Sequence, residues 1–188
     1  MIPDQLKLQR NVGLWFTLDA NRINARQLDS EMNQLEKWYD DGVIDLIISE
    51  PASVEALKRG SPKRFAKARR YFHSQTLIST TEERRDLKKI ANVLLGREPK
   101  DSNERNDVEI LFNTKKYAGY LITEDGASRS QPLGILGARV QLKTLGIEVY
   151  RTREAVELVR KRIRNRDIRA REYSSEYNAP IPDWVGKD

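Results

Sequence analysis

The chain has 188 residues, 33% charged and 38% hydrophobic, with a formal net charge of +6 and a pI near 9.5. That is enough for one domain with a proper core, biased toward phosphate-rich partners. It has no cysteine and one histidine, His73, which excludes disulfides, thiolate catalysis, sulfur-ligated zinc and a multi-histidine cage and leaves oxygen ligands, hence Mg2+ or Mn2+, for any metal chemistry.

No apolar run nears the roughly 20 residues that span a bilayer. The opening MIPDQLKLQRN lacks the apolar region of a signal peptide, so a cytoplasmic protein without membrane contact is expected. After this polar lead-in, the apolar run of residues 12–18 (VGLWFTL) reads as a central strand covered on both faces and ending at Asp19. Asn24 is placed to cap a helix whose Leu28, Met32, Leu35 and Trp38 recur at helical spacing. VIDLIIS, residues 43–49, is the second strand and ends against Glu50 and Pro51. Pro51 suits the first turn of a helix, which Gly60, Ser61 and Pro62 interrupt and FAKARRYF resumes. QTLIST, residues 75–80, is a short edge strand. Thr81, Glu82 and Glu83 then open a helix that buries Leu87, Ile90, Ala91, Leu94 and Leu95 and stops at Gly96. Residues 97–105 are a polar loop, and a helix over 106–117 turns Val108, Leu111 and Phe112 inward. YLIT and GIEVY, residues 120–123 and 146–150, are the fourth and fifth strands, separated by a flexible loop from Asp125 and a short helix around 136–144. The last helix lies around 153–164, followed by a polar tail. Strands alternating with helices predict an α/β fold with a mainly parallel five-stranded sheet.

Open parallel sheets place their sites outside the carboxyl ends of the strands. Asp19 follows the first strand, Glu50 the second and Asp125 the fourth, while Asp107 opens the helix that leads into the fourth. The four acids can therefore converge. Mutual repulsion and desolvation would then raise their pKa values, and a divalent cation would offset both effects. Each also has a plainer reading: Asp19 and Asp125 as turn formers, Asp107 as an N-cap, Glu50 as a first-turn acid. Glu124 is an alternative to Asp125.

FTLDANRIN, IISEPASVEAL and NDVEILFNTKKYAGYLITEDG, in that order, resemble the PIN-domain family of small metal-dependent ribonucleases, some of them toxins of toxin–antitoxin pairs. The resemblance covers about residues 12–150. It implies a three-layer sandwich with a parallel five-stranded sheet, a nuclease domain over 1–150, and a basic helix and tail over 151–188 that pack on or extend it. It matches Asp19, Glu50, Asp107 and Asp125 to the acids that bind Mg2+ or Mn2+ and cut RNA, with Asn21 and Thr123 shaping the site. The small hydroxylated residue usual after the first Asp is Ala20 here. A small antitoxin-like protein and a homodimer are the partners it implies besides RNA, and a module that binds nucleic acid or protein without catalysis is the alternative.

Two basic clusters, Lys58–Arg70 and Arg151–Arg171, read either as solvated faces or as phosphate holders beside the acids. The expected nucleic-acid contacts are Arg22, Lys63, Arg64, Lys67, Arg69, Arg70, Arg129, Arg160 and Arg164. His73 reads as a structural or surface residue. No GxGxxG or Walker motif occurs, and Asp19 with Asn21 does not make the Asp-x-Asp of a phosphatase.

Overall fold

A computed structural model describes residues 8–25, 28–59, 66, 69–127 and 133–188. Five short strands form one all-parallel sheet: β1 (Trp15–Leu18), β2 (Asp45–Ser49), β3 (Phe72–Ser74), β4 (Tyr120–Ile122) and β5 (Glu148–Tyr150). Their spatial order is β3-β2-β1-β4-β5. From the central β1 the chain builds outward through β2 and β3 on one side, then returns to add β4 and β5 on the other. The carboxyl ends of β1 and β4 therefore flank the crevice where the strand order reverses, the place where open α/β sheets bind ligands.

The helices are α1 (Ala20–Ala25), α2 (Ser30–Asp40), α3 (Glu50–Arg59), α4 (Thr81–Leu95), α5 (Ser102–Tyr117), α6 (Gly134–Gly137), α7 (Arg139–Thr144) and α8 (Thr152–Glu176). One layer holds α2 against β2 and α8 against β5, with α2 and α8 touching. The other holds α5 against β1 and β4, with α4 packed on α5 and α7. Phe16, Leu18, Ile48, Ile110, Leu111, Leu121 and Val159, all essentially inaccessible, fill the space between sheet and helices. Their removal from water supplies the main driving force for the sandwich. Among the described residues no helix is long and apolar enough to cross a membrane.

Four elements depart from the sequence expectation. The edge strand is Phe72–Ser74, not residues 75–80. Phe72 stacks on Trp15 with ring centroids 5.8 Å apart, and Tyr71 is buried with its hydroxyl on Glu36 at 2.5 Å. These contacts draw the end of FAKARRYF out of helix, and residues 75–79 become the connector to α4, which Thr80 and Glu83 cap reciprocally. The second correction concerns Asn24. A separate short helix follows Asp19, and α2 is capped instead by Asp29, whose side chain accepts from the Glu31 and Met32 amides. Third, α5 is capped by Asp101 and begins at Ser102, so Asp107 sits in its second turn and does not open it. Fourth, α8 runs on to Glu176 because Ala170 and Ser174 continue the buried stripe of Ala155, Val159 and Ile163. The tail then folds back: Trp184 stacks on the Arg166 guanidinium at 4.4 Å, and Asp188 is held by Arg10 and Arg166.

Candidate functional site

Strand register sets the geometry of the crevice. Leu18 pairs with Ile48 on one side and with Ile122 on the other, and Ser49 pairs with Ser74. One residue further, Asp19 comes level with Ser49 and Thr123. Because side chains alternate along strands, Ser74, Ser49, Asp19 and Thr123 make a polar row across four strand ends. All four are buried.

Asp19 is the centre of this row. It accepts from the Ala20 amide on Oδ1 at 2.6 Å, and on Oδ2 from Thr123 Oγ1 and Asn21 Nδ2, both at 2.6 Å. Burial lifts its pKa to about 6, the Thr123 and Ala20 hydrogen bonds pull it back, and the charges of Asp125 and Glu55 push it up further. A carboxylate has about four lone-pair sites, and three are used here.

Asp125 is tied down from two directions. Its amide donates to Thr123 Oγ1 at 2.9 Å, its Oδ2 accepts from the Ile135 amide at 2.9 Å, and its carbonyl accepts from the Leu136 amide at 3.0 Å. Gly134 makes this docking feasible. It has φ +58, and a Cβ there would lie 2.2 Å from the Gly126 carbonyl oxygen, so only glycine lets the two backbones approach.

Glu124 turns the other way, accepting from the Thr152 amide at 3.1 Å, Thr152 Oγ1 at 3.2 Å and Arg151 Nη1 at 2.7 Å. It caps the start of α8, so Asp125 and not Glu124 is the residue that acts on Asp19 electrostatically. Arg22, expected as an RNA contact, is committed within the fold. Its Nε donates to Asn21 Oδ1 at 2.8 Å, and its Nη1 to Asp29 Oδ2 at 3.0 Å and Thr152 Oγ1 at 3.2 Å. The Glu124 amide donates to the same Asn21 oxygen at 3.4 Å. Asn21, Arg22, Thr152 and Glu124 thus close a ring around one side of Asp19.

Glu50 is the exposed first residue of α3. The α3 acid that acts on Asp19 is Glu55, half-buried on the face that carries the fully buried Ala52 and Ala56. Sequence reading missed it; an acid between two small residues on a helix's inner face was the available signal. Asp107 is half-buried on α5. This helix runs antiparallel to β4, and ten residues of helix back from Tyr117 cover about 15 Å. Four residues of strand from Gly119 to Thr123 cover about 13 Å, which puts Asp107 level with the carboxyl edge. Among the described residues, no group of three or more Asp, Glu, His or Cys is spaced to hold a metal ion. Asp19, Glu50, Asp107 and Asp125 do not form one such group.

The basic residues are dispersed. Lys63, Arg64, Lys67 and Arg129 lie outside the described residues. Arg69 and Arg70 occupy the turn before β3, at the opposite edge of the sheet from Asp19, and Arg70 pairs with Asp40 at 2.9 Å. Arg160 and Arg164 are exposed on α8, Arg160 beside Glu157 at 2.8 Å. His73 is exposed on the edge strand.

No family model matches the chain. The pro-apoptotic serine protease NMA111 of Kluyveromyces lactis is 26% identical to it over 125 residues, covering 65% of this chain and 12% of that protein. The chain thus spans about an eighth of the curated relative's length.

Proposed function

We propose that the chain is a PIN-like, metal-dependent endoribonuclease that hydrolyses RNA phosphodiester bonds, of the toxin type where a small antitoxin-like protein accompanies it. The observation that carries this reading is the buried Asp19 carboxylate at the switch-point crevice, held by three donors and flanked by the charges of Asp125 and Glu55. Its raised pKa marks an electrostatic strain that a divalent cation cancels. The donor set fits such an ion: all are oxygens, one lone pair of Asp19 remains, and Mg2+ commonly takes only one or two carboxylates, completing its shell with water and substrate phosphate. Asp19 and Asp125 would be the protein ligands of Mg2+ or Mn2+, with Glu55 adding negative charge beside Asp19 and Asp107 at the same level of the sheet edge, available to support the ion through water.

When bound, the ion would polarise the phosphodiester and acidify an attacking water. The remaining work belongs to the side chains. Thr123 and Asn21 hold Asp19's oxygens in one orientation, and α6 does the same for Asp125. Without the ion the Asp19 carboxyl ionises as pH rises through about 6, so the ion should bind most readily at neutral and alkaline pH.

A second reading, a module that binds nucleic acid or protein without cutting, is favoured by the lack of a gathered three-acid group among the described residues. It predicts association without metal-dependent turnover. The serine-protease likeness offers less: a histidine base would have to be His73, the sole histidine, which lies exposed on the edge strand. The test is cleavage of single-stranded and structured RNA with Mn2+, Mg2+ or chelator, using wild type and D19N. Metal-dependent cleavage lost in D19N is expected. Equal residual activity in every arm defeats the enzyme reading. An adjacent reading frame for a small antitoxin-like protein would support the toxin role, and cytoplasmic residence and a homodimer accompany the proposal.

A further inference from the structure

The charge on α8 is ordered in a way the bare count of basic residues conceals. Arg153, Arg160, Arg164 and Arg171 are all exposed. Relative to Arg153 the others stand 7, 11 and 18 positions on (160 − 153, 164 − 153 and 171 − 153). At 3.6 residues per turn these offsets are close to two, three and five whole turns, so the four lie within about 20° of one line and extend about 27 Å along the helix. Arg162 and Arg169 fall on the opposite side of α8 and Lys161 about a quarter-turn away. Arg153 and Arg164 form no ion pair among the described residues, and Arg160 has only the exposed Glu157 contact, which a phosphate can displace at little cost.

This line borders a cleft of about 400 Å³ between α2 and α8, with Ser30, Glu31 and Gln34 on one wall and Arg153, Val156, Glu157 and Arg160 on the other, Glu157 being the exposed partner that Arg160 would exchange for a phosphate. The cleft begins where the site ends. Arg153 follows Thr152, which accepts from Arg22 and donates to Glu124; both of these bond to Asn21, and Asn21 bonds to Asp19.

We infer that the α2–α8 cleft and its arginine line are the track along which single-stranded RNA enters the Asp19 site. This rests on the ribonuclease reading and assigns its substrate path. Three features of the surface specify the ligand. Guanidinium groups on one line match the phosphates of one backbone. The α2 wall carries Glu31, which repels a second backbone and so selects one strand over a duplex. Among the described residues no aromatic side chain lines the cleft, so bases are not held there by stacking and binding is indifferent to sequence.

The test measures fluorescence anisotropy of labelled oligo-uridylate and oligo-adenylate about 12 nucleotides long, using the full chain with D19N so that nothing is cut. Two charge-matched triple variants are compared, R153Q/R160Q/R164Q on the line and K161Q/R162Q/R169Q off it; all six positions are exposed. Between about 50 and 200 mM salt, losing three phosphate contacts lowers the log–log salt slope by about 2. The line variant should lose at least about tenfold in affinity for both oligomers, while the off-line variant stays within about twofold. Equal weakening by both variants, or a duplex bound as tightly as the single strand, overturns the track. So does competition by polyglutamate as strong as by RNA, which would assign the line to an acidic protein. If the line variant binds RNA normally while wild type still cuts in a metal-dependent way, the track fails and the ribonuclease reading survives. If RNA is held on the line and no metal supports cleavage, the track stands as a binding surface and the ribonuclease reading fails.

Discussion

Replacing Asp19 by Asn should make the folded protein more stable at alkaline pH, even as it removes the proposed activity. Burial raises the Asp19 pKa from its ordinary 3.8 to about 6, which at about 1.4 kcal/mol per pH unit means the ionised group costs the fold about 3 kcal/mol. The amide carries no charge and avoids that cost, but it fits the three donors less well. Its one oxygen can still serve the Ala20 amide; its nitrogen faces Thr123 Oγ1, which can rotate, and Asn21 Nδ2, which cannot accept. That mismatch returns about 1–2 kcal/mol, leaving D19N ahead by about 1–2 kcal/mol, or about 3–6 °C in Tm for a chain of this size. The pH window follows from the sign. The folded pKa lies above the unfolded one, so the contribution of Asp19 to stability is fully present below about pH 4 and is lost as pH rises through 6. The gain in D19N should therefore be absent at pH 4, open between pH 4 and 6, and level off above 7. Thermal unfolding of both proteins in chelator, followed by circular dichroism across that range, measures it. A D19N protein less stable than wild type at pH 8, or an offset identical at pH 4 and pH 8, would refute the electrostatic account.

E55Q removes a negative neighbour of Asp19, so the Asp19 carboxyl should titrate lower by NMR, and cleavage should fall by about a hundredfold or more if Glu55 helps to hold the ion. E50Q, at the exposed start of α3, should change neither; the reverse pattern would return the role to Glu50. G134A puts a Cβ 2.2 Å from the Gly126 carbonyl oxygen at a φ of +58, and should cost at least about 2 kcal/mol in urea unfolding and abolish cleavage by moving Asp125. Glu104 is held by Arg97 through two bonds at 2.6 and 2.7 Å and by the Lys100 amide at 2.7 Å, which lower its pKa from 4.5 to about 2. Its contribution is present above about pH 4.5 and disappears as pH falls through 2, so E104Q should flatten the acid limb of the stability curve over that window, and an unchanged limb would discount the pair.

Much of the architecture was readable because the strands are mainly apolar runs of three to five residues cut off by polar ones. β1, β2, β4 and β5 could each be placed within three residues of their observed starts. β3 could not. Three residues, Phe72 to Ser74, carry no alternation, and Leu77 with Ile78 imitate a strand yet stay 58% and 40% exposed. Helix starts failed where several capping residues compete. Asp29 displaced Asn24, and Asp101 displaced the start placed near Asp107, because a cap is decided by which side chain meets two free amides and not by residue type. Asp19 and Asp125 could be placed from topology, since they follow β1 and β4 at the switch point, whereas Thr123 came from the family resemblance. Glu55 was not, because an acid inside a helix looks like surface until its neighbours prove buried. The true length of α8 was hidden by its charge, which outnumbers the narrow stripe of Ala155, Val159, Ile163, Ala170 and Ser174.

The ring of Asn21, Arg22, Thr152 and Glu124 makes the long last helix mechanically part of the acid centre. Its first turn donates to Glu124 and accepts from Arg22, and both of these fix the amide that holds Asp19. A chain shortened after Tyr150 would keep every strand and every acid, yet leave a guanidinium and a carboxylate without their shared anchor. Thr152 is therefore a single hinge-pin for both partners: losing its hydroxyl would loosen Arg22 and Glu124 together, and with them the amide that orients Asp19.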